Sequence, residues 1–116
     1  MSHKSTIEIN VWMDEQRVPE TITWKATDST ADMEQKAKAM LLAFWDSADK
    51  SALRIDLWGK DMMVDEMGDF FYQMLMTMAD TFQRATNKPE LAAGMKDYAR
   101  SFMKDFRNSM IKEENL

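Results

Sequence analysis

The chain has 116 residues, of which 45% are hydrophobic and 30% charged, with a net charge of −5, 13 methionines and no cysteine. This composition is typical of one globular domain with its own core. The lack of cysteine excludes disulfides, thiol nucleophiles and cysteine-based zinc sites. The acidic balance argues against nucleic-acid binding, because an acidic surface repels phosphate backbones.

The amino-terminal stretch MSHKSTIEINVWMDE contains no long apolar run followed by a cleavage site. No segment approaches the roughly 20 apolar residues that span a membrane. We therefore expect a cytoplasmic protein without a membrane span. We also expect a single domain over residues 1–116, with flexible ends at residues 1–5 and 112–116.

The first two predicted elements form a β-hairpin. Residues 6–13 alternate between apolar and polar, which is typical of a half-buried strand. The polar residues 14–17 form the turn, and residues 18–27 alternate again. Pro19 lacks an amide donor, which places it at the beginning of the second strand or at an edge.

The next elements are predicted to be a helix, a third strand and two further helices. Cap-forming residues at 28–32 precede a stripe with three- and four-residue spacing, which predicts a helix to Asp46. The stripe consists of Met33, Ala37, Met40, Leu41 and Phe44. Residues 53–58 alternate as a strand. Residues 64–85 form the strongest helical pattern, and a last helix follows Pro89.

This order, β-β-α-β-α-α, predicts an α+β fold. The helix between the second and third strands would be a crossover, so those two strands would run parallel. The simplest sheet is three-stranded with the order 2-1-3, in which the first strand is central and antiparallel to both neighbours. The helices would cover its apolar face.

The predicted sheet would bring two tryptophans together on its outward face. Trp12 and Trp58 both occupy the polar phase of their strands, beside polar side chains of the same phase. Tryptophan and arginine are enriched at interaction hot spots, so we expect an interaction surface here, unless the last helix or a loop covers the rings. The polar neighbours are Glu8, Asn10, Arg54 and Asp56.

Four apolar residues lie away from the predicted helical stripes, namely Leu42, Trp45, Tyr72 and Met76. Such residues contact either another helix of the same chain or a partner. Tyr72 and Met76 therefore join the predicted interaction surface. Homo-oligomerisation remains open.

Catalytic and metal-binding patterns are weak in this sequence. The spacing of Asp61, Asp65 and Asp69 would put them on one side of a helix, but a solvated helix start explains them better than a metal does. The only histidine, His3, lies near the amino terminus. A carboxylate pair of Glu8 and Asp56 would share its face with Arg54 and Lys25, as in a surface ion-pair ladder. We expect no enzyme, cofactor or metal.

Three long stretches, VPETITWKATD (18–28), LRIDLWGKDMMVDEM (53–67) and MADTFQRATN (78–87), resemble the gliding motility protein GldC family. The resemblance covers nearly the whole chain, but no functional residue comes with it. It implies an accessory protein of the bacterial gliding machinery, which is linked to type IX secretion. The implied partners are other gliding proteins, including the lipoprotein GldB. Because no export signal is found, we expect this protein to stay inside the cell, at the inner face of the membrane apparatus.

The leading hypothesis is therefore a non-enzymatic accessory protein of gliding motility that acts through protein–protein contacts. The alternative is a small-ligand-binding or chaperone-like domain with a pocket between sheet and helices, lined by Met74, Met78 and Phe102. An open pocket there would favour the alternative, and a tightly packed core would count against it.

Overall fold

The computed structural model describes residues 2–114, so part of each predicted flexible end (Met1 and residues 115–116) lies outside the described residues. The chain divides into two compact units, residues 1–62 and 63–116. Among the described residues, the strands all lie in the first unit and the helices in the second. The elements are β1 (Ile7–Met13), β2 (Pro19–Ala26), β3 (Gln35–Ala37), β4 (Ala39–Asp46), β5 (Ser51–Trp58), α1 (Val64–Thr86) and α2 (Pro89–Glu114).

The first sheet has the order β1-β2-β3, and both pairings are antiparallel. The predicted hairpin of the first two strands is confirmed. Its turn is closed by Asp14, whose carboxylate accepts hydrogen bonds from the backbone N–H groups of Gln16 (2.8 Å) and Val18 (2.9 Å). Arg17 adopts a left-handed φ of 61° in this turn. The central strand supplies the buried residues Ile22 and Thr23.

The helix predicted between residues 28 and 46 is wrong, because β3 and β4 occupy this segment. β4 forms an antiparallel hairpin with β5, which corresponds to the predicted third strand. The sequence of β4, AMLLAFWD, is apolar on both phases, so it satisfies helical and strand periodicities alike. A turn at residues 47–50 favours the strand, because it ends β4 and leads the chain back into β5. In this turn Asp46 accepts a hydrogen bond from Ala48 N–H (3.0 Å), and Lys50 has a φ of 50°.

The predicted sheet order 2-1-3 and its parallel pair are consequently wrong. β2, not β1, is the central strand of the first sheet, and β4 and β5 form a separate two-stranded sheet. The α+β class, the antiparallel pairing and the two carboxy-terminal helices are confirmed.

The second unit is a helical hairpin joined by Asn87, which is left-handed at the carboxyl end of α1. Gly68 of α1 faces the ring of Phe106 of α2, and Ala79, Ala92 and Ala99 are buried. Lys96 and Asp80 link the helices by an ion pair of 2.7 Å. Other apolar residues of α1, including Phe71 and Met78, are exposed. Met103 of α2 is buried as well, so four of the five buried residues described in the two helices are glycine or alanine.

Candidate interaction surface

One face of the β4–β5 hairpin carries two exposed tryptophans. Trp58 lies opposite Ala39, and Trp45 lies opposite Ala52, so the two rings stand at opposite ends of the same face. They are separated by six residue steps, about 20 Å along the strands. Trp45 is 67% exposed and Trp58 57%. We call this the aromatic face, defined by Leu41, Trp45, Arg54, Asp56 and Trp58.

Arg54 and Asp56 form an ion pair between the two tryptophans. The Nη2 atom of Arg54 lies 3.0 Å from Oδ1 of Asp56, and its Nε atom lies 3.3 Å from Oδ2. This two-point contact fixes the plane of the guanidinium group. Both side chains remain about half exposed. The aromatic face thus presents an oriented polar pair with a large aromatic ring at either end.

Trp12 lies on a different sheet from Trp58. The predicted adjacency of these two rings is wrong, because it required β1 to lie between β2 and β5, whereas β1 is an edge strand beside β2 and β5 pairs with β4 in the other sheet. Trp12 is 60% exposed on β1. Its neighbours in phase, Glu8 and Asn10, also lie on β1 and hydrogen-bond to each other at 3.2 Å.

The predicted ion-pair ladder is divided in the same way. Glu8 lies 3.8 Å from Lys25 on the neighbouring strand, while Arg54 pairs with Asp56 on the other sheet. The postulated carboxylate pair of Glu8 and Asp56 is therefore not formed by neighbouring strands.

The structure adds Trp45 to the aromatic face. The sequence marks this residue as lying away from a helical stripe, but it assigns it to a helix instead of β4. If the segment had been recognised as a strand paired with β5, side-chain alternation would have placed Trp45 on the same face as Trp58. Tyr72 and Met76 lie on α1 in the helical unit, where both are half-buried.

His3, Ser5 and Asp28 form a small polar cluster near the amino terminus. The Nε2 atom of His3 lies 2.7 Å from Oδ2 of Asp28, and the Ser5 hydroxyl donates to the same oxygen at 2.5 Å. The bonds from Ser5 and then His3 lower the pKa of Asp28. The serine therefore donates to the carboxylate and not to the imidazole, unlike the nucleophile of a hydrolase triad.

Acidic residues lie in the first turn of α1 and just before it. Asp65 and Glu66 lie in the first turn, and the Glu66 carboxylate accepts a hydrogen bond from Met63 N–H at 3.1 Å. Asp61 precedes the helix and so does not share a helical side with Asp65 and Asp69. Within residues 2–114, no group of three or more histidine or acidic side chains has an arrangement that could hold a metal ion.

The three residues of the predicted ligand pocket lie in the helical unit. Met74 and Phe102 are half-buried, and Met78 is 52% exposed. Among the residues that the structure describes, no helix is long and apolar enough to cross a lipid bilayer.

These observations define a class: a small α+β protein in which two antiparallel sheets precede a helical hairpin, with an exposed aromatic face on the second sheet. The family follows from a comparison with known proteins. Residues 19–108 match the model of the GldC-like family, described as gliding motility-associated protein GldC-like. The chain belongs to this family, which confirms the resemblance and associates the protein with gliding motility. No curated protein and no solved structure matches the chain.

Proposed function

We propose that this protein is a non-enzymatic accessory component of the gliding machinery and that it binds a partner protein through the aromatic face. The observation that carries the proposal is the pair of exposed tryptophans, Trp45 and Trp58, at either end of the Arg54–Asp56 ion pair. Tryptophan and arginine are enriched at interaction hot spots, because tryptophan buries a large rigid ring and arginine presents several hydrogen-bond donors on a planar group.

The arrangement of the polar groups supports a role without catalysis. The cluster of His3, Ser5 and Asp28 is exposed and lacks a serine–imidazole hydrogen bond. A catalytic site requires a nucleophile or base positioned next to a group that activates it. In the Arg54–Asp56 pair the guanidinium group and the carboxylate balance each other's charge, so the pair is better suited to recognition than to proton transfer.

The family membership supports a partner among the gliding proteins. The two candidate partners differ in location. A gliding protein that faces the cytoplasm fits the proposed location at the cytoplasmic side of the envelope apparatus, whereas the lipoprotein GldB, whose lipid anchor is attached outside the cytoplasmic membrane, requires the chain to act there. Separation of cell extracts into cytoplasmic, membrane and periplasmic fractions tests the proposed location. Recovery of the chain from the periplasm would contradict it.

A binding experiment tests the surface. The double variant W45A/W58A removes both rings of the aromatic face, and we expect it to bind purified GldB at least about tenfold more weakly than the wild type. W12A is the matched control, because it removes an equally exposed tryptophan from the other sheet. W12A should bind like the wild type. Circular dichroism verifies that each variant is folded.

The opposite pattern, in which W12A loses binding and W45A/W58A retains it, would contradict the aromatic face. If the wild type does not bind GldB, affinity capture from gliding cells with the same variants identifies the partner. A set of gliding proteins recovered equally with the wild type and W45A/W58A would contradict the proposal.

A cell experiment tests the role. In a strain that lacks this protein, the wild-type chain should restore gliding and W45A/W58A should not, at equal steady-state levels of the two chains. Full restoration by the double variant would show that the aromatic face is dispensable.

A further inference from the structure

Strand β4 has an edge without a partner strand in the part of the chain that the structure describes. It pairs with β5 on one side only, in a sheet of two strands. An isolated two-stranded hairpin is marginally stable in water and gains most from a third strand or a packed face. Phe44, Leu53 and Ile55 share one face of this hairpin, and each is at least half exposed.

The other sheet edges carry features that disfavour pairing with a further strand, whereas the open edge of β4 carries none between residues 39 and 45. β1 has a charged Glu8 and a register irregularity between Trp12 and Met13, and β3 is only three residues long. The outer edge of β5 carries Arg54 and Asp56. From residue 39 to residue 45, β4 contains no charged residue and no proline. Proteins normally protect long edge strands with such residues, so an unprotected edge indicates a pairing site.

The hydrogen-bond pattern identifies the groups at this edge. The N–H of Gly59 donates to the carbonyl of Lys38 at 2.8 Å, in the same register as the β4–β5 ladder. Bonded and non-bonded pairs alternate along antiparallel strands, so the even-numbered residues of β4 direct their backbone groups to β5. The odd-numbered residues direct theirs to the open edge. These residues are Ala39, Leu41, Ala43 and Trp45.

We propose that β4 pairs antiparallel with β4 of a second copy of this chain, about a two-fold axis at Leu42. The product is a continuous four-stranded sheet with the order β5-β4-β4-β5. In this register Leu41 exchanges backbone hydrogen bonds with Ala43 of the second copy, and Ala39 does so with Trp45. The two-fold symmetry repeats each of these bonds, so one strand sequence satisfies both sides of the interface.

The side chains of β4 complement one another in this register. On the aromatic face, Leu41 lies opposite the small Ala43, and Trp45 lies opposite the small Ala39. On the other face, Phe44 meets Met40, a favourable sulfur–aromatic pair. This self-complementarity favours a second copy over an unrelated strand.

The proposal goes beyond the proposed function and does not depend on it. Pairing through the edge of β4 leaves the rings of Trp45 and Trp58 on the sheet face, available to a partner. A chain that dimerises without binding a gliding protein, or that binds one as a monomer, would separate the two proposals.

The mass of the purified chain in solution provides the first test. We expect light scattering to give 27.2 kDa, twice the chain mass of 13.6 kDa. A43P removes an N–H that points to the open edge and preserves the β4–β5 ladder. We expect it to raise the dissociation constant of the dimer about thirtyfold, because two interfacial hydrogen bonds are lost.

A52P is the matched control. Ala52 is exposed, lies on the same face as Ala43, and points its N–H to the outer edge of β5. The variant should therefore dimerise like the wild type. A monomeric wild type at every soluble concentration would overturn the proposal, and so would equal weakening by A43P and A52P when both are folded by circular dichroism.

Cysteine cross-linking tests the register, and the absence of native cysteine makes single substitutions unambiguous. In L42C the two Cα atoms would lie about 4.5 Å apart across the two-fold axis, within disulfide range. I55C places a thiol on the same face in β5, about 14 Å from its copy, which is three strand spacings. With a mild oxidant, L42C should form the disulfide dimer at least about tenfold faster than I55C. Equal or faster cross-linking of I55C would indicate stacked faces and overturn the edge pairing.

Discussion

Lys60, which follows β5, forms an ion pair with Asp14 in the turn between β1 and β2. The side chain of Asp14 is 12% exposed, and its other oxygen holds the turn through the N–H groups of Gln16 and Val18. This ion pair connects the turn of the first sheet to the segment that leaves the second sheet. One carboxylate therefore both closes a hairpin and joins distant parts of the strand unit.

The Asp14–Lys60 pair predicts a specific dependence of stability on pH. The bond from Lys60, followed by the N–H of Val18, lowers the pKa of Asp14 below its ordinary value of 3.8, and Asp14 raises the pKa of Lys60 above 10.5. The stabilisation by Asp14 is therefore complete above about pH 4 and is lost as the pH falls through its folded pKa. The contribution of Lys60 is complete below pH 10.5 and is lost as the pH rises through its folded pKa.

We expect D14N to lower the free energy of unfolding at pH 7 and the difference from the wild type to shrink as the pH falls below 4. Urea denaturation at fixed protein concentration, repeated from pH 2.5 to pH 7, measures both. E8Q is the control, because Glu8 forms an exposed contact of 3.8 Å with Lys25 and should matter little. A D14N deficit that stays constant across this range would contradict the assigned role.

Gly68 is required by the close packing of the helical hairpin. A Cβ atom at this position would lie within 3.0 Å of the Phe106 ring, whereas a Cβ atom at Gly94 would meet nothing within 4 Å. We expect G68A to destabilise the protein by about 1–3 kcal/mol through overpacking. G94A should stabilise it by about 0.5–1 kcal/mol, because alanine is the better helix former.

Thermal and urea denaturation measure both glycine variants. A double-mutant cycle with F106A isolates the contact, because the cost of G68A should largely disappear when the ring is absent. A cost of G68A that persists in the F106A background would show that the glycine is needed for another reason.

The sequence predicts the elements whose periodicity or turn chemistry is strong. The first hairpin follows from alternation on either side of the turn at Asp14, and α1 follows from a long apolar stripe. β4 could not be predicted in this way, because alanine, methionine and leucine favour helices and both of its phases are apolar. Its strand state depends on pairing with β5. Residue propensities describe single positions, so they cannot show which strand a segment pairs with.

The candidate surface, too, was predictable only in part. Strand alternation correctly assigned Arg54, Asp56 and Trp58 to one face of a strand. Their neighbours depended on the sheet order, so the error in β4 replaced Trp45 with Trp12. A wrong assignment of one element therefore changed the composition of the surface without changing the phase of any residue in β5.

Thr23 has a buried hydroxyl group without a hydrogen-bond partner in the described part of the chain. The residue is 5% exposed on the central strand β2. An unpaired buried hydroxyl is destabilising, so T23V, which keeps the shape, should raise the free energy of unfolding by about 1 kcal/mol. Urea denaturation measures it.

T27V is the matched control, because the Thr27 hydroxyl accepts a bond from Thr6 N–H at 2.8 Å. That variant should lower the free energy of unfolding by about 0.5–1.5 kcal/mol. If T23V is as destabilising as T27V, the Thr23 hydroxyl has a stabilising partner in solution.

Asn87 ends α1 in the left-handed conformation, with φ 55° and ψ 43°, and its N–H donates to the carbonyl of Gln83 at 2.8 Å. Glycine adopts this conformation without strain, asparagine tolerates it, and alanine does so at a cost of about 1 kcal/mol. We therefore expect N87A to lower the free energy of unfolding by about that amount and N87G to leave it unchanged or slightly raised. N108A, in the exposed interior of α2, should raise it by a few tenths of a kcal/mol, because alanine is a better helix former than asparagine there. Equal effects of N87A and N108A in urea denaturation would show that the left-handed conformation does not limit the choice of residue at the joint between the helices.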